Sequence, residues 1–163
     1  MGEMVYDTKQ PWRLIGDITS SKSALAVTGR QDADVKAFAS GSYVLWNAPP
    51  EIGIAEFRFS TDADGDSQVV NVYASRGAND YVLVGTLTLT GGTQTGPNSN
   101  VYVDTIVESD IDWLRGSATR VCRGSGSNHQ ARWIIDLMGY SRILFIATTL
   151  ASSTTLRVEG SGV

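Results

Sequence analysis

The sequence predicts an all-β chain, an antiparallel β-sandwich of jelly-roll type with an extended amino-terminal arm. Three observations predict it. Short apolar segments alternate with polar residues at the period of two that marks half-buried strands, and they recur about every ten residues. Breakers rich in Gly, Pro, Asn and Asp separate them. Charged residues make up only 18% of the 163 positions and Gly accounts for 17, a composition that suits strands and turns better than surface helices.

The first 38 residues carry the weakest pattern. "DITSSKSALAVTGRQDADVKAF" has one short apolar run, Ala24 to Val27, and all three lysines of the chain (Lys9, Lys22, Lys36) fall in this part. Residues 1–38 are expected to be an arm or peripheral segment, with a first strand plus loops as the competing reading. Residues 39–163 are expected to be the sandwich domain. There, "YVLW" precedes the breaker "NAPPE", and "IAEFRFS" alternates Phe57 and Phe59 against Glu56 and Arg58. "VVNVYAS", "YVLVGTLTLT", "VYVDTIVES", "ARWIIDL", "RILFIATTL" and "TTLRVEGSG" follow, giving seven or eight strands. A meander from Ile54 to Thr90 is expected, with "STDADGDSQVV" as the tip of a hairpin inside it.

That acidic tip is the one candidate metal site. Asp62, Asp64 and Asp66 stand at alternate positions, as oxygen ligands do at the start of an EF-hand loop. Counted from Asp62, however, the position that needs Gly is Ser67 and the position that needs a bidentate carboxylate is Tyr73. The flanks read as strands, so a solvated turn is expected, with weak Ca2+ binding as the minor alternative and no other cofactor.

Other chemistry has thin support. Cys122, His129 and Asp136 are spaced seven apart, but in strands that spacing gives no shared face, so no catalytic residue is assigned and no enzyme is expected. One cysteine excludes an intramolecular disulfide. The net charge of −4 argues against a nucleic-acid partner, and no apolar run reaches the length of a membrane span. The amino terminus carries Glu3 and Asp7 with no apolar run, so a cytoplasmic site of synthesis is expected. The tryptophans Trp12, Trp46, Trp113 and Trp133 would suit a sugar-binding face, a core or a subunit interface.

Residues 68–162 add a resemblance. "VNVYASRGANDYVLVGTLTLTGGTQ", then "VYVDTIVES", then "NHQARWIIDLMGYSRILFIATTL" and a closing "LRVEGSG" resemble structural proteins from the virion gene clusters of tailed bacteriophages. The resemblance implies a non-enzymatic virion protein of the capsid decoration or cement type. It further implies the major capsid protein as partner, a homo-oligomer, most simply a trimer, and a place on the capsid surface. Contacts are then expected at Trp12, Arg13 and Leu14 of the arm, at the Pro49–Pro50 loop, and at Trp113 and Arg115 in "SDIDWLRG". A carbohydrate-binding or host-adhesion sandwich is the alternative.

Overall fold

The computed structural model describes residues 12–21, 41–62, 65–77, 81–92, 101–109, 119–123, 129–151 and 154–162, with only the backbone of 119–123, 129 and 130. Every regular element among them is a strand: β1 Arg13–Ile18, β2 Val44–Asn47, β3 Ile54–Thr61, β4 Ser67–Ser75, β5 Val82–Gly91, β6 Val101–Ser109, β7 Thr119–Arg123, β8 His129–Asp136, β9 Arg142–Thr149 and β10 Leu156–Gly162. All pairings are antiparallel, as the alternation predicts.

The strands form two layers. The first sheet runs β1-β10-β3-β8-β7 and the second runs β2-β9-β4-β5-β6. β6 joins them. Its first residues pair with β3 (Tyr102 with Ser60, Val101 with Thr61), and from Val103 onward it pairs with β5. The register slips at Asp104, where Thr90 faces Thr105 but Gly91 faces Val103. A bulge of this kind bends a strand and sharpens its twist, which lets β6 leave one sheet for the other. β8 then occupies the edge of β3 that β6 has left, pairing Arg132–Asp136 with Ile54–Arg58.

The far ends of the two sheets also meet. The amides of Thr19 and Ser20, just past β1, both donate to the carbonyl of Gly41 ahead of β2, at 2.7 and 3.2 Å. A Cβ on Gly16 would lie 3.0 Å from Cγ2 of Val44, so glycine sets how closely β1 approaches β2. The sandwich is thereby nearly closed into a barrel.

Aromatic rings fill the space between the sheets. Phe57 stands edge-on to Phe145 at 5.0 Å and to Trp46 at 5.2 Å, and Phe59 and Trp133 meet Phe145 at 5.8 and 6.1 Å. Perpendicular rings bring the positive edge of one to the negative face of the next. Val70, Val72, Leu87, Leu89, Ile135 and Val158 complete this core.

Three expectations change. Arg13–Ile18, within the segment expected as an arm, is a strand paired with β10, and Ile18 is fully buried. The rest of residues 1–38 lies outside the described residues, apart from 12 and 19–21. The acidic stretch is not a hairpin tip, because β3 belongs to the first sheet and β4 to the second. It carries the chain between layers, with Gly65 at φ +66. Accordingly the meander is β4-β5-β6 rather than Ile54 to Thr90.

Candidate interaction surfaces

A strand's side chains alternate between faces, so each sheet has one face toward the core and one away from it. The outward face of the first sheet carries a ladder of opposite charges. Arg157 on β10 holds Asp17 on β1 in a two-point bond, Nε to Oδ1 at 2.9 Å and Nη2 to Oδ2 at 3.0 Å. Arg58 on β3 holds Glu159 the same way at 2.5 and 3.2 Å, and Arg132 on β8 reaches Glu56 at 3.3 Å. The planar guanidinium suits such paired acceptors.

Trp12 lies over this ladder. The guanidinium carbons of Arg58 and Arg132 sit 4.6 and 5.4 Å from its ring centre, and Tyr102 flanks Arg58 at 5.1 Å. Arg58 and Arg132 are direct cross-strand neighbours, an arrangement of like charges that repels. The ring and the two glutamates offset that repulsion. The buried Nε of Arg132 has no hydrogen-bond partner among the described residues, so the indole face is its remaining electrostatic support. Leu14, next on β1, is 57% exposed, and Arg13 is exposed.

The outward face of the second sheet is different in kind. On β2, β9 and β4 it presents Leu45, Leu144, Ile146 and Tyr73, and Tyr81 and Tyr43 join them in a second apolar cluster. Tyr73, Tyr81, Leu144 and Ile146 are buried, so this half of the face is already covered within the chain. Asn71 sits among them, accepting from Thr86 Oγ1 at 3.0 Å and donating to Tyr73 at 3.4 Å. On β5 and β6 the same face is less covered: Thr86, Thr88 and Thr90 are half-buried, and Thr105 and Val107 are exposed.

One end of the sandwich gathers exposed apolar groups. Pro49 and Pro50 are exposed in the connection from β2 to β3, where the amide of Ile52 donates to the Pro49 carbonyl at 3.1 Å. Leu137 donates to Gly53 at 2.8 Å and Ala48 to Ser141 at 2.8 Å, which ties this connection to the turn between β8 and β9. Met138 at the tip of that turn is 50% exposed, and Ile54 at the start of β3 is 46% exposed.

The Met138 turn is strained. Met138 has φ 45 and Gly139 φ 85, and the amide of Tyr140 closes the turn on Leu137 at 2.7 Å. Two successive left-handed residues define a type I′ turn, whose first position favours Asn, Asp or Gly. Asp136 Oδ1 accepts from the Met138 amide at 3.0 Å and holds the conformation.

At the opposite end the acidic connection is engaged internally. Asp62 Oδ1 accepts from the Thr155 amide and Asp66 Oδ2 from the Thr154 hydroxyl, both at 2.8 Å. Asp64 lies outside the described residues, and among those described no group of three or more His, Cys, Asp or Glu is placed to hold a metal.

Of the other sequence candidates, Trp113 and Arg115 lie outside the described residues. Cys122 stands opposite Gln130 in the β7–β8 register and His129 opposite Arg123, so the thiol and the imidazole are not direct cross-strand partners. Trp133 is fully buried and donates its indole N–H to Glu108 at 2.5 Å, and Trp46 packs on the core, so neither lines an open sugar-binding face. The structure thus places Pro49 and Pro50 beside two residues that the sequence reading missed, Ile54 and Met138. Ile54 shares parity with the outward Glu56 and Arg58, a signal that was present. Met138 had none, because nothing local marks a Met for a left-handed turn. No protein family, curated protein or solved structure matches the chain.

Proposed function

We propose that the chain is a non-enzymatic structural protein of a tailed-phage virion that decorates or cements the capsid through its surfaces. The sequence resemblance over residues 68–162 motivates this reading, and one observation carries it to a place on the molecule. Met138 is held in a conformation that Gly or Asn would adopt with less strain, at an end where Pro49, Pro50 and Ile54 are also exposed. Left-handed backbone costs a residue with a side chain about 1 kcal/mol. A flexible thioether at that position adapts well to a protein partner. The major capsid protein is the partner, and the two loops, tied together by hydrogen bonds, are presented to it as one tip that mixes Pro49, Pro50, Ile54 and Met138 with the exposed Glu51 and Asp136.

The test is a binding assay on purified expanded capsids with the wild-type chain and Met138→Gly. The wild type should bind saturably and raise capsid resistance to heat. Met138→Gly should melt at the same temperature or slightly higher, yet bind at least tenfold more weakly. Saturable glycan binding with no capsid binding would replace this proposal with host adhesion.

A further inference from the structure

We infer that the outward face of the first sheet holds a site for a small tetrahedral oxyanion, a sulfate or phosphate group, at Arg132 and Arg120, with Trp12 as its cover. Register places three arginines in one row. Arg58 on β3 stands opposite Arg132 on β8, and Arg132 stands opposite Arg120 on β7. Direct cross-strand partners share a face at about 5 Å, and like charges so placed repel. The chain has 13 Lys and Arg against 17 Asp and Glu, so this row does not follow from a basic composition.

The glutamates serve the row unequally. Glu159 takes Arg58 at two points, whereas Glu56 reaches a single nitrogen of Arg132 at 3.3 Å. Nε of Arg132 is buried without a hydrogen-bond partner among the described residues. An unpaired buried donor is costly, more so on a charged group. Trp12, with its ring centre 5.4 Å from that guanidinium, offers it only a π face. Strand pairing of β1 begins at Arg13, so the indole can shift without breaking a ladder bond. An oxyanion in its place supplies the acceptor that Nε lacks and puts negative charge between two arginines in register. Sulfate and phosphate have oxygens in more than one plane, so one group can accept from both. The net charge of −4 opposes a long polyanion, which makes the ligand a single group. This site does not depend on a virion role and is tested without capsids.

The experiment is isothermal titration calorimetry of the full chain at fixed ionic strength, with sodium sulfate, the sulfate ester of glucose, and glucose itself as probes. Wild type should bind a sulfate probe at one site per chain and leave glucose unbound. Binding of sodium sulfate assigns a free anion, and binding of the ester alone assigns a group carried on a sugar. Arg132→Gln and Arg120→Gln should each weaken binding at least tenfold. Arg157→Gln, which removes the same charge from the same face, should leave it unchanged. Should Arg132→Gln fail to fold, Arg120→Gln carries the test alone. Trp12→Ala should tighten binding at least threefold by uncovering the donor. Binding of neither sulfate probe, an equal loss in Arg157→Gln, or weaker binding by Trp12→Ala would overturn the inference.

Discussion

On the outward face of the first sheet, Arg58 and Glu159 are cross-strand neighbours joined at two points. At comparable outward positions of the second sheet, Tyr73 and Leu144 are cross-strand neighbours without charge. Both pairs are largely shielded, and both stabilise pairing between strands distant in sequence. Their physics is opposite. The ion pair must offset the loss of hydration of two charges, and its net worth depends on geometry. The apolar pair gains by leaving water and needs only to be covered. One face can therefore remain beside solvent, while the other is stable only where something lies over it.

The sharpest way to break this comparison is to put a charge among the buried apolar side chains of the second sheet's outward face. Leu144→Lys should prevent folding under native conditions, as read by circular dichroism. Leu144→Ala should cost about 2–5 kcal/mol in denaturant unfolding. Leu14→Ala, on the exposed rim of the first sheet, should change stability by less than about 0.5 kcal/mol.

A smaller effect tests the ladder itself. Arg58 and Glu159 have 16% and 18% of their side chains exposed, and Arg58 also supports Trp12. Arg58→Met should cost about 1–3 kcal/mol, because Glu159 loses its paired donors. A double-mutant cycle with Glu159→Gln should return a positive coupling that shrinks in 0.5 M salt. No coupling would mean that the ladder contributes only shape.

The smallest effect within the ladder lies at Asp17 and Arg157, with 32% and 39% of their side chains exposed. Asp17→Asn should cost at most about 1 kcal/mol. The hydrogen bond from Arg157 to Asp17, and then the charge of Asp17, raise the guanidinium above its ordinary value. A cation raised in the fold stabilises it below its unfolded value and loses that effect only as pH rises through the folded one. For Arg157 that window is strongly alkaline. Melting temperature between pH 7 and pH 10 should therefore respond equally in wild type and Arg157→Gln, and a difference in slope would assign the pair a larger role.

Much of the strand content was legible because half-buried strands write their burial into alternation. "VYVDTIVES" coincides with β6, and "RILFIATTL" overruns β9 by one residue. β9 reads as a continuous apolar run because both of its faces are covered, a fact fixed by Tyr81 from another part of the chain. β1 was read first as part of an arm, with a strand as the competing reading, because Ile15 is a bulged residue that breaks the alternation between Leu14 and Gly16. β7 is only five residues long. The layer change at Asp62–Asp66 was illegible in principle, since a tight acidic turn has the same local chemistry whether its flanks pair or part. The candidate surfaces divide along the same line. Pro49 and Pro50 announce a loop, but Met138 becomes notable only through its backbone angles, and the threonine strip on β5 only once register shows which threonines face outward.

β10 lies between β1 and β3, pairing Leu156 with both Ile18 and Thr61. During synthesis the first sheet therefore waits, with β1 and β3 made early and the strand that joins them made late. The β4-β5-β6 meander needs no such delay, because its partners are consecutive. Contacts between distant parts of a chain slow folding, so β4, β5 and β6 should acquire protection from hydrogen exchange before β9 and the first sheet do, and the ladder of charges should form as the molecule locks shut.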